Sequence, residues 1–501
     1  MPSPQNSAMG PWRDRTGAVS RAEERNGCGE HLDKSGTASR RTLFCASSLR
    51  AAQGRRGPRQ GQELAALKPR QVPSCSWSSA NFLEGRAAPA LRRCHPIALY
   101  PEGTMPSIDV AVVGAGVFGS WTALWLRRAG KSVLLLDAWG PGHARSSSGG
   151  ETRIIRRGYG PDRLYTDMAE RSLPLWQAVF EKTEPRLFHR TGVLWIARED
   201  DQYVKKTLDI FAEAKVKYEI LEALELTKRY PQFQVRDPNV FGMLELESGA
   251  LMARRAVAKV VDAAVQLGVQ FARADVRLEP HGSKLGHGSK LGYGTPSLNT
   301  TSGDSIKAEH LVFACGPWLP KLFPDLLGSR IFPTRQEVLF FAPPAGDARF
   351  APGRFPTWID FTDPRVPYGF PDIESRGLKL AFDRHGPEFD PDSAGSNDRL
   401  VSSASIEEAR VFLAERFPAL REARLAETRV CQYENTSNGD FLIDRHPDLE
   451  NVWLVGGGSG HGFKHGPAVG EYAANLIMGK GAAEKRFSYQ TKGVVQNRAV
   501  F

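Results

Sequence analysis

A glycine-rich turn between two apolar segments is the clearest chemical signal in the sequence. Gly114, Gly116 and Gly119 follow the spacing G-x-G-x-x-G, directly after the apolar run at residues 110–113. In this pattern the first glycine permits a tight turn, the second lets the backbone approach a pyrophosphate, and the third lets helix and strand pack closely. The free N–H groups at the start of the next helix attract phosphate. The spacing therefore predicts a dinucleotide site.

An acidic residue at the end of the next strand supports the same prediction. The apolar run at residues 133–136 ends in Asp137, which follows Gly119 by 18 residues. A carboxylate in this place can accept a hydrogen bond from a ribose 2′-hydroxyl, which favours FAD or NAD over NADP. The pattern does not choose between FAD and NAD.

The elements that must position this turn alternate between helices and strands. Helical patterns cover residues 161–180, 201–215 and 253–267, and a single strand is expected over 188–196. A strand at 269–271 follows the last of these helices, which predicts its return to a parallel sheet.

Residues 330–385 instead alternate strand-like runs with Pro and Gly turns, which is typical of a mainly antiparallel sheet. The sequence thus predicts an α/β fold, with a doubly wound dinucleotide-binding domain and an α+β substrate domain. The predicted bounds are 105–190, 245–325 and 425–490 for the first domain, and 191–244 and 326–424 for the second.

Composition argues against several kinds of partner. The formal net charge is +10, but residues 1–104 hold 16 Lys and Arg against 8 Asp and Glu, and the remainder holds 50 against 48. We therefore expect no nucleic-acid partner. No apolar run reaches the roughly 18 residues of a membrane span. Cys315 and Cys431 are the only cysteines after residue 104 and form no C-x-x-C pair, which favours a reducing compartment, the cytoplasm, and no metal site.

Two segments show no pattern of a packed element. Residues 1–104 lack periodicity and could be a disordered tail, an organelle transit peptide, or the product of a start codon assigned too far upstream. Their eight acidic residues disfavour a transit peptide, and Met105 is a natural start just before the first strand. Residues 281–292 repeat HGSKLG twice, which predicts an expanded surface loop.

Beyond residue 105 the chain resembles the FAD-dependent amine oxidases that include sarcosine, pipecolate and N-methyltryptophan oxidases, which share the fold of D-amino-acid oxidase. The stretches that carry the resemblance are 114–119, 152–156 (TRIIR), 368–371 (YGFP) with 377–379 (GLK), 431–433 (CQY) with 441–444 (FLID), and 459–464 (SGHGFK). The resemblance implies FAD as the cofactor, two intertwined domains, and oxidation of a secondary amine on an amino acid.

The resemblance also implies roles for individual residues. Arg156 and Lys464, with Tyr433 beside them, would bind a substrate carboxylate. The catalytic residues would be Lys379, which promotes reaction of the reduced flavin with oxygen, together with Arg153 and Tyr368. From the residues alone, each of the cations could also be a solvated or edge-strand side chain.

Cofactor contacts follow from the same resemblance, with a covalent thioether from Cys431 to FAD. A buried, inert cysteine is the other interpretation of Cys431. The N–H groups of the second glycine-rich run, 456–462, could stabilise negative charge on the reduced ring, although a plain turn would have the same composition. The cofactor-binding candidates are Gly114, Gly116, Gly119, Asp137, Thr152, Arg153, Val276, Cys431, Gly457, Gly460, Phe463 and Lys464.

Four positions depart from the family pattern. Gly149 and Asp383 stand where the family often has histidine, Glu434 stands where sarcosine oxidase has threonine, and Gly458 replaces an aromatic residue. All four would lie near the flavin or the substrate. They put sarcosine itself in doubt and predict a larger or more polar pocket.

The predicted reaction is hydride transfer from the carbon beside a secondary or N-methyl amine to N5 of FAD, followed by imine hydrolysis and reduction of O2 to H2O2. The predicted partners are a small amine and O2, and the predicted state is a monomer. One alternative is a dehydrogenase that passes electrons to a quinone or a carrier protein. Another is a flavin-binding protein without turnover.

The leading segment allows a direct test. A variant that begins at Met105 should fold and bind FAD as the full chain does, because residues 1–104 show no periodicity that would tie them to the core. The measurement is the yield of soluble protein and its ratio of flavin to protein. Loss of soluble flavoprotein on this truncation would show that the segment belongs to the fold.

Overall fold

The computed structural model describes residues 108–277, 297–393 and 398–496, apart from residues 182 and 184. The leading segment and the tandem hexapeptide lie outside these ranges, so the predictions about them stay predictions. Within the described ranges, no helix combines the length and the apolar character needed to cross a bilayer.

Nine α-helices and nineteen strands occur in the described residues. The helices are α1 Val117–Arg128, α2 Arg163–Phe180, α3 Gln202–Ala214, α4 Ala223–Arg229, α5 Ala253–Gln266, α6 Leu319–Leu322, α7 Pro324–Leu327, α8 Ser403–Arg416 and α9 Gly466–Ile477. The strands are β1 Ile108–Val113, β2 Val133–Asp137, β3 Thr152–Ile155, β4 Phe188–His189, β5 Val193–Arg198, β6 Tyr218–Leu221, β7 Val240–Glu245, β8 Gly249–Met252, β9 Gln270–Arg273, β10 Val276–Arg277, β11 Ser297–Thr300, β12 Ser305–Phe313, β13 Ile331–Ala342, β14 Thr357–Asp360, β15 Pro367–Phe370, β16 Leu378–Phe382, β17 Arg424–Thr436, β18 Leu442–Arg445 and β19 Val452–Gly456.

The first sheet is built on parallel strands that are apolar on both faces. Strand β1 lies between β2 and β12, with Val112 opposite both Leu135 and Val312, and β9 and β19 extend the sheet on the two sides in parallel. Continuous apolar runs are expected in such strands because helices cover both faces. The predicted return of the chain to this sheet after α5 is confirmed, since β9 pairs with β2.

The second sheet has the order β17-β13-β16-β15-β14-β5-β7-β6. All its neighbours are antiparallel except β14 and β5, which confirms the predicted mainly antiparallel sheet. Three short strands form a third sheet in the order β3-β8-β4. The fold class is therefore the predicted one, whereas the predicted domain bounds stay a prediction.

The expectation of one strand over 188–196 is wrong. The chain turns at Gly192, whose φ is +70°, so β4 joins the third sheet and β5 joins the second. The sequence alone does not show this break, because a glycine between two strand-like segments can either end a strand or lie within it.

Close helix packing fixes the glycine-rich turn over the first sheet. Helix α1 packs against α5 and α9. A Cβ atom at Gly470 would lie 2.6 Å from the Cβ of Trp121, and one at Gly119 would collide with the carbonyl oxygen of Gly114. Trp121 is fully buried, with its ring centroid 5.1 Å from that of Trp176 in an edge-on arrangement. The third glycine of the motif thus serves packing, as predicted.

Candidate functional site

A cavity of about 490 Å³ opens at the carboxyl ends of β1, β2 and β12. Gly114, Gly116, Asp137, Arg153 and Val276 all line it, so the structure brings together predicted residues from distant parts of the chain. The carboxyl edge of a parallel sheet is where ligands bind in folds of this kind. Helix α1 begins at this edge with Gly116 as its N-cap and without an acidic residue in its first turn, and the N–H of Val117 donates to Ser148 Oγ at 3.1 Å. The positive end of the helix dipole therefore lies at the cavity.

Asp137 holds the two loops at the mouth of this cavity. Its Oδ2 accepts a hydrogen bond from the N–H of Ala115 at 2.8 Å, and its Oδ1 accepts from Trp139 and Gly140 at 2.9 and 2.7 Å. Each carboxylate oxygen can accept more than one hydrogen bond, so Asp137 can still meet a ribose hydroxyl. The sequence predicted its place on the cavity wall but not its role in closing the turn.

A smaller cavity of about 70 Å³ adjoins the large one. Arg153, Tyr433, Gly460 and Phe463 line both cavities. Much of the remaining wall is apolar, with Ile154, Val338, Ile359, Phe361, Val366 and Phe370 among the lining residues. A cofactor in the large cavity and a small ligand in the other would therefore meet at the four shared residues.

Arg153 and Cys431 meet beside this junction. The guanidinium of Arg153, on β3, donates to Cys431 Sγ at 3.0 Å, to the carbonyl of Ser147 at 2.7 Å and to the carbonyl of Thr152 at 2.8 Å. Burial works against the charge of Arg153, but Cys431 and the tyrosines of the cavity more than offset it, and the pKa of Arg153 is raised. Cys431 Sγ therefore lies directly against a buried cation.

Lys379 lies on β16 and is 3% exposed. Its Nζ donates to the carbonyl and the hydroxyl of Thr152 at 3.0 and 3.1 Å, and it stands 4.4 Å from the ring centroid of Phe370. Burial, followed by repulsion from Arg153, lowers the pKa of Lys379 well below its ordinary value. Negative charge added nearby would raise this pKa again.

Arg156 and Lys464 are a second pair of buried cations in the smaller cavity, and both contact Tyr159. The guanidinium of Arg156 lies 4.7 Å from the ring centroid of Tyr159 and 5.0 Å from that of Trp195, and it donates to the carbonyl of Gly158. Lys464 Nζ donates to the hydroxyl of Tyr159 at 2.6 Å. The structure thus brings the two predicted carboxylate ligands into one site.

Tyr159 is the main residue that the sequence did not reveal. Its hydroxyl also lies 2.6 Å from Nε2 of His465 and 3.3 Å from Nδ1 of His461. Its place three residues after Arg156, within an otherwise polar and glycine-rich stretch, was the available signal. His461 lines the smaller cavity, and a bond between its Nε2 and the carbonyl of Gly439, at 2.9 Å, orients the ring.

The four departures from the family pattern have visible consequences. A side chain at Gly149 would collide with the carbonyl of His143, so this turn is built for glycine. Asp383 lines the smaller cavity, and Glu434 and Gly458 line the large one. Burial raises the pKa of Asp383 to about 6 and that of Glu434 to about 7, although nearby cations and backbone N–H groups respectively oppose the shift.

Most of the remaining candidates lie at the smaller cavity. Thr152, Tyr368, Cys431 and Lys464 line the smaller cavity. Burial raises the pKa of Tyr368 to about 12, so its hydroxyl stays protonated at neutral pH. Gly119 and Gly457 are not among the residues that line either described cavity. A Cβ atom at Gly457 would lie 3.0 Å from the N–H nitrogen of Leu442, which makes this glycine part of a structural turn.

Comparison with known proteins agrees with this architecture. Residues 109–476 match the DAO family model, described as FAD dependent oxidoreductase. Monomeric sarcosine oxidase from Bacillus sp. (strain B-0618) is 31% identical over 377 residues, which is 74% of this chain and 92% of the relative. N-methyl-L-tryptophan oxidase from Salmonella heidelberg (strain SL476) is 28% identical over 375 residues, covering 74% and 95%.

A solved structure shows the same fold. NikD, an amino acid oxidase essential for nikkomycin biosynthesis, aligns with a TM-score of 0.61 at 23% identity, over 76% of this chain and 97% of that protein. The glycine-rich turn, the parallel sheet and the family model lead to one assignment. The chain belongs to the DAO family of FAD-dependent oxidoreductases.

Proposed function

We propose that this protein oxidises the C–N bond of a secondary amino acid, with an N-methyl or a cyclic amine, and passes the electrons through FAD to oxygen. The observation that carries the proposal is the pair of adjoining cavities, one lined by the glycine-rich turn and one containing the buried cations Arg156 and Lys464. The names of the relatives, sarcosine oxidase and N-methyl-L-tryptophan oxidase, support an N-methyl amino acid as the substrate.

The residues of the large cavity fit FAD. The positive end of α1 suits a pyrophosphate, Asp137 suits a ribose, and Val276 and Phe463 supply apolar wall. Gly460, with φ at +76° and the ring of Tyr433 where a Cβ atom would stand, lets the backbone come close to a ligand at the junction of the two cavities. When bound, FAD accepts a hydride and returns the electrons to oxygen.

The residues of the smaller cavity bind and orient the substrate. Arg156 and Lys464 hold its carboxylate, because both are buried cations fixed by Tyr159. Tyr368 and Tyr433, which are hydrogen-bonded to each other, line the same space, and the apolar wall limits the entry of water.

Lys379 acts on the oxygen half of the reaction. Its Nζ lies behind Thr152, which lines the smaller cavity. A positive charge at this place stabilises the negative charge that develops on oxygen as it accepts electrons. Thr152 holds the Nζ atom in place through two hydrogen bonds.

We place the protein in the cytoplasm as a monomer. Its two described cysteines, Cys315 and Cys431, are both free, which suits a reducing compartment. The Bacillus relative is named as a monomeric enzyme, which supports the same oligomeric state here.

A substrate panel tests the proposed reaction. The FAD-loaded protein should lose its yellow flavin absorption when mixed without oxygen with at least one member of a set of N-methyl amino acids and cyclic imino acids. Glycine, which has a carboxylate but only a primary amine, is the control. Hydrogen peroxide should form on admission of air. Need for an added electron acceptor would indicate a dehydrogenase, and absence of bleaching with every member would overturn the proposal and leave a flavin-binding protein without turnover.

Lys379→Met separates the two halves of the reaction. We expect reduction of the flavin by the substrate to change little, whereas reoxidation by oxygen slows by about a hundred- to a thousandfold, because the charge beside developing anionic oxygen is lost. Rapid mixing measures each half separately. The exposed Lys480→Met, at the end of α9, is the matched control and should change neither rate. Unchanged reoxidation in Lys379→Met would make Lys379 a structural strand residue.

Cys431→Ser tests the proposed covalent bond. A thioether from Cys431 would keep the flavin on the protein after acid precipitation, because a C–S bond survives denaturation. The wild-type precipitate should therefore stay yellow, and the variant should release its flavin. Cys315→Ser is the matched control, since Cys315 is the other described cysteine that lines one of the two cavities, and its precipitate should stay yellow. A colourless precipitate from fully loaded wild-type protein would exclude the bond.

A further inference from the structure

Asp383 places a carboxylate in a cavity whose other charged residues are cations. It follows β16 directly, and its backbone N–H donates to the carbonyl of Val366 at 3.0 Å. Among the described residues that line the smaller cavity it is the one carboxyl group, and it shares the cavity with Arg153, Arg156 and Lys464. Its pKa is raised to about 6 by burial and held there by Arg156 and Lys464, so the group is mainly ionised at neutral pH.

Asp383 is hydrogen-bonded to a residue at the junction of the two cavities. Asp383 Oδ1 accepts a hydrogen bond from the hydroxyl of Tyr433 at 3.1 Å. Tyr433 is one of the residues that line both cavities. Asp383 is thus one hydrogen bond away from the junction where a substrate would meet the cofactor.

A carboxylate in this cavity can offset the positive charge that forms on the substrate nitrogen during the reaction. During the proposed oxidation the C–H bond breaks and its electron pair leaves with the hydride to the bound FAD. The lone pair of nitrogen forms the C=N bond, and nitrogen becomes positively charged. Three cations in the same low-dielectric space oppose that charge, and a nearby carboxylate offsets them.

We propose that Asp383 pairs with the amine nitrogen of the substrate, so that the cavity selects ligands with both a carboxylate and an amine over simple carboxylic acids. The proposal rests on the proposed function for the identity of the reacting nitrogen. In this arrangement Arg156 and Lys464 hold one end of the ligand, and Asp383 sets the position of the nitrogen beside the junction.

Two ligands of the same shape test this selectivity. 2-Aminoisobutyrate and pivalate differ only by an ammonium in place of a methyl group, and neither carries hydrogen on the carbon next to the carboxylate, so neither can be oxidised there. Isothermal titration calorimetry of the FAD-loaded wild-type protein should show 2-aminoisobutyrate binding about tenfold more tightly, as expected for one charge-assisted contact. Equal affinity, or tighter binding of pivalate, would overturn the proposal.

Asp383→Asn should reverse the preference. The variant should bind 2-aminoisobutyrate more weakly and pivalate more tightly than the wild type, because one negative charge near two cations has been removed. A residue that only supports the fold would shift both affinities in the same direction, and that result would also contradict the proposal. Asp325→Asn, an identical change at an exposed position in α7, is the control and should change neither affinity.

If Asp383→Asn does not retain FAD, a second variant tests the same preference. Asp383→Ser is a smaller uncharged replacement with the same expected reversal, and the wild-type comparison stands without any variant. The outcome is also independent of turnover. If the amine panel fails to bleach the flavin while the ligand preference holds, the proposed reaction is wrong and the role of Asp383 in amine recognition stands.

Discussion

One buried carboxylate, Glu151, determines where the strand that carries the site can lie. It is 6% exposed and pairs with Arg254 at 3.0 Å, Arg376 at 2.9 Å and Arg429 at 3.2 Å. These arginines come from α5, from the turn before β16, and from β17. A buried charge is costly unless its partners are in place, so the pairing ties the start of β3 to helix α5 and to the antiparallel sheet. Arg153 and Thr152 follow directly, and their contacts to Cys431 and Lys379 depend on that position.

Several cations lie in a small volume at the site, and neighbouring groups offset their charges to different degrees. Arg153 is balanced by Cys431 and two tyrosines, which raises its pKa, whereas Lys379 is left with a lowered one. The first group is thus permanently charged, and the second responds to the charge of whatever occupies the cavity beside it. Asp383 adds one negative group on the substrate side. The smaller cavity therefore favours anionic ligands, and Asp383 provides one position suited to a positively charged group.

Local patterns in the sequence predicted the parts of the fold that depend on local geometry. The spacing of Gly114 and Gly119 requires a strand, a tight turn and a helix, and all three are present. The contact of Arg156 with Lys464 through Tyr159 could not be derived from spacing, because it joins residues about three hundred positions apart. The break at Gly192 was missed for another reason, since a glycine within a strand-like segment can end a strand or continue it. The resemblance to known oxidases supplied the distant pairs, and the structure shows their geometry.

The order of the strands has a consequence for synthesis of the protein. Strand β19 pairs with β12 in the first sheet, and the residues directly after it, including Gly460 and Phe463, line both cavities. Helix α9 then packs on α1, the helix that begins at the glycine-rich turn. The glycine-rich turn therefore leaves the ribosome more than three hundred residues before Gly460 and Phe463 do. Over that length of elongation the nascent chain carries an open half-site, and the cavity closes only once β19 and α9 have emerged.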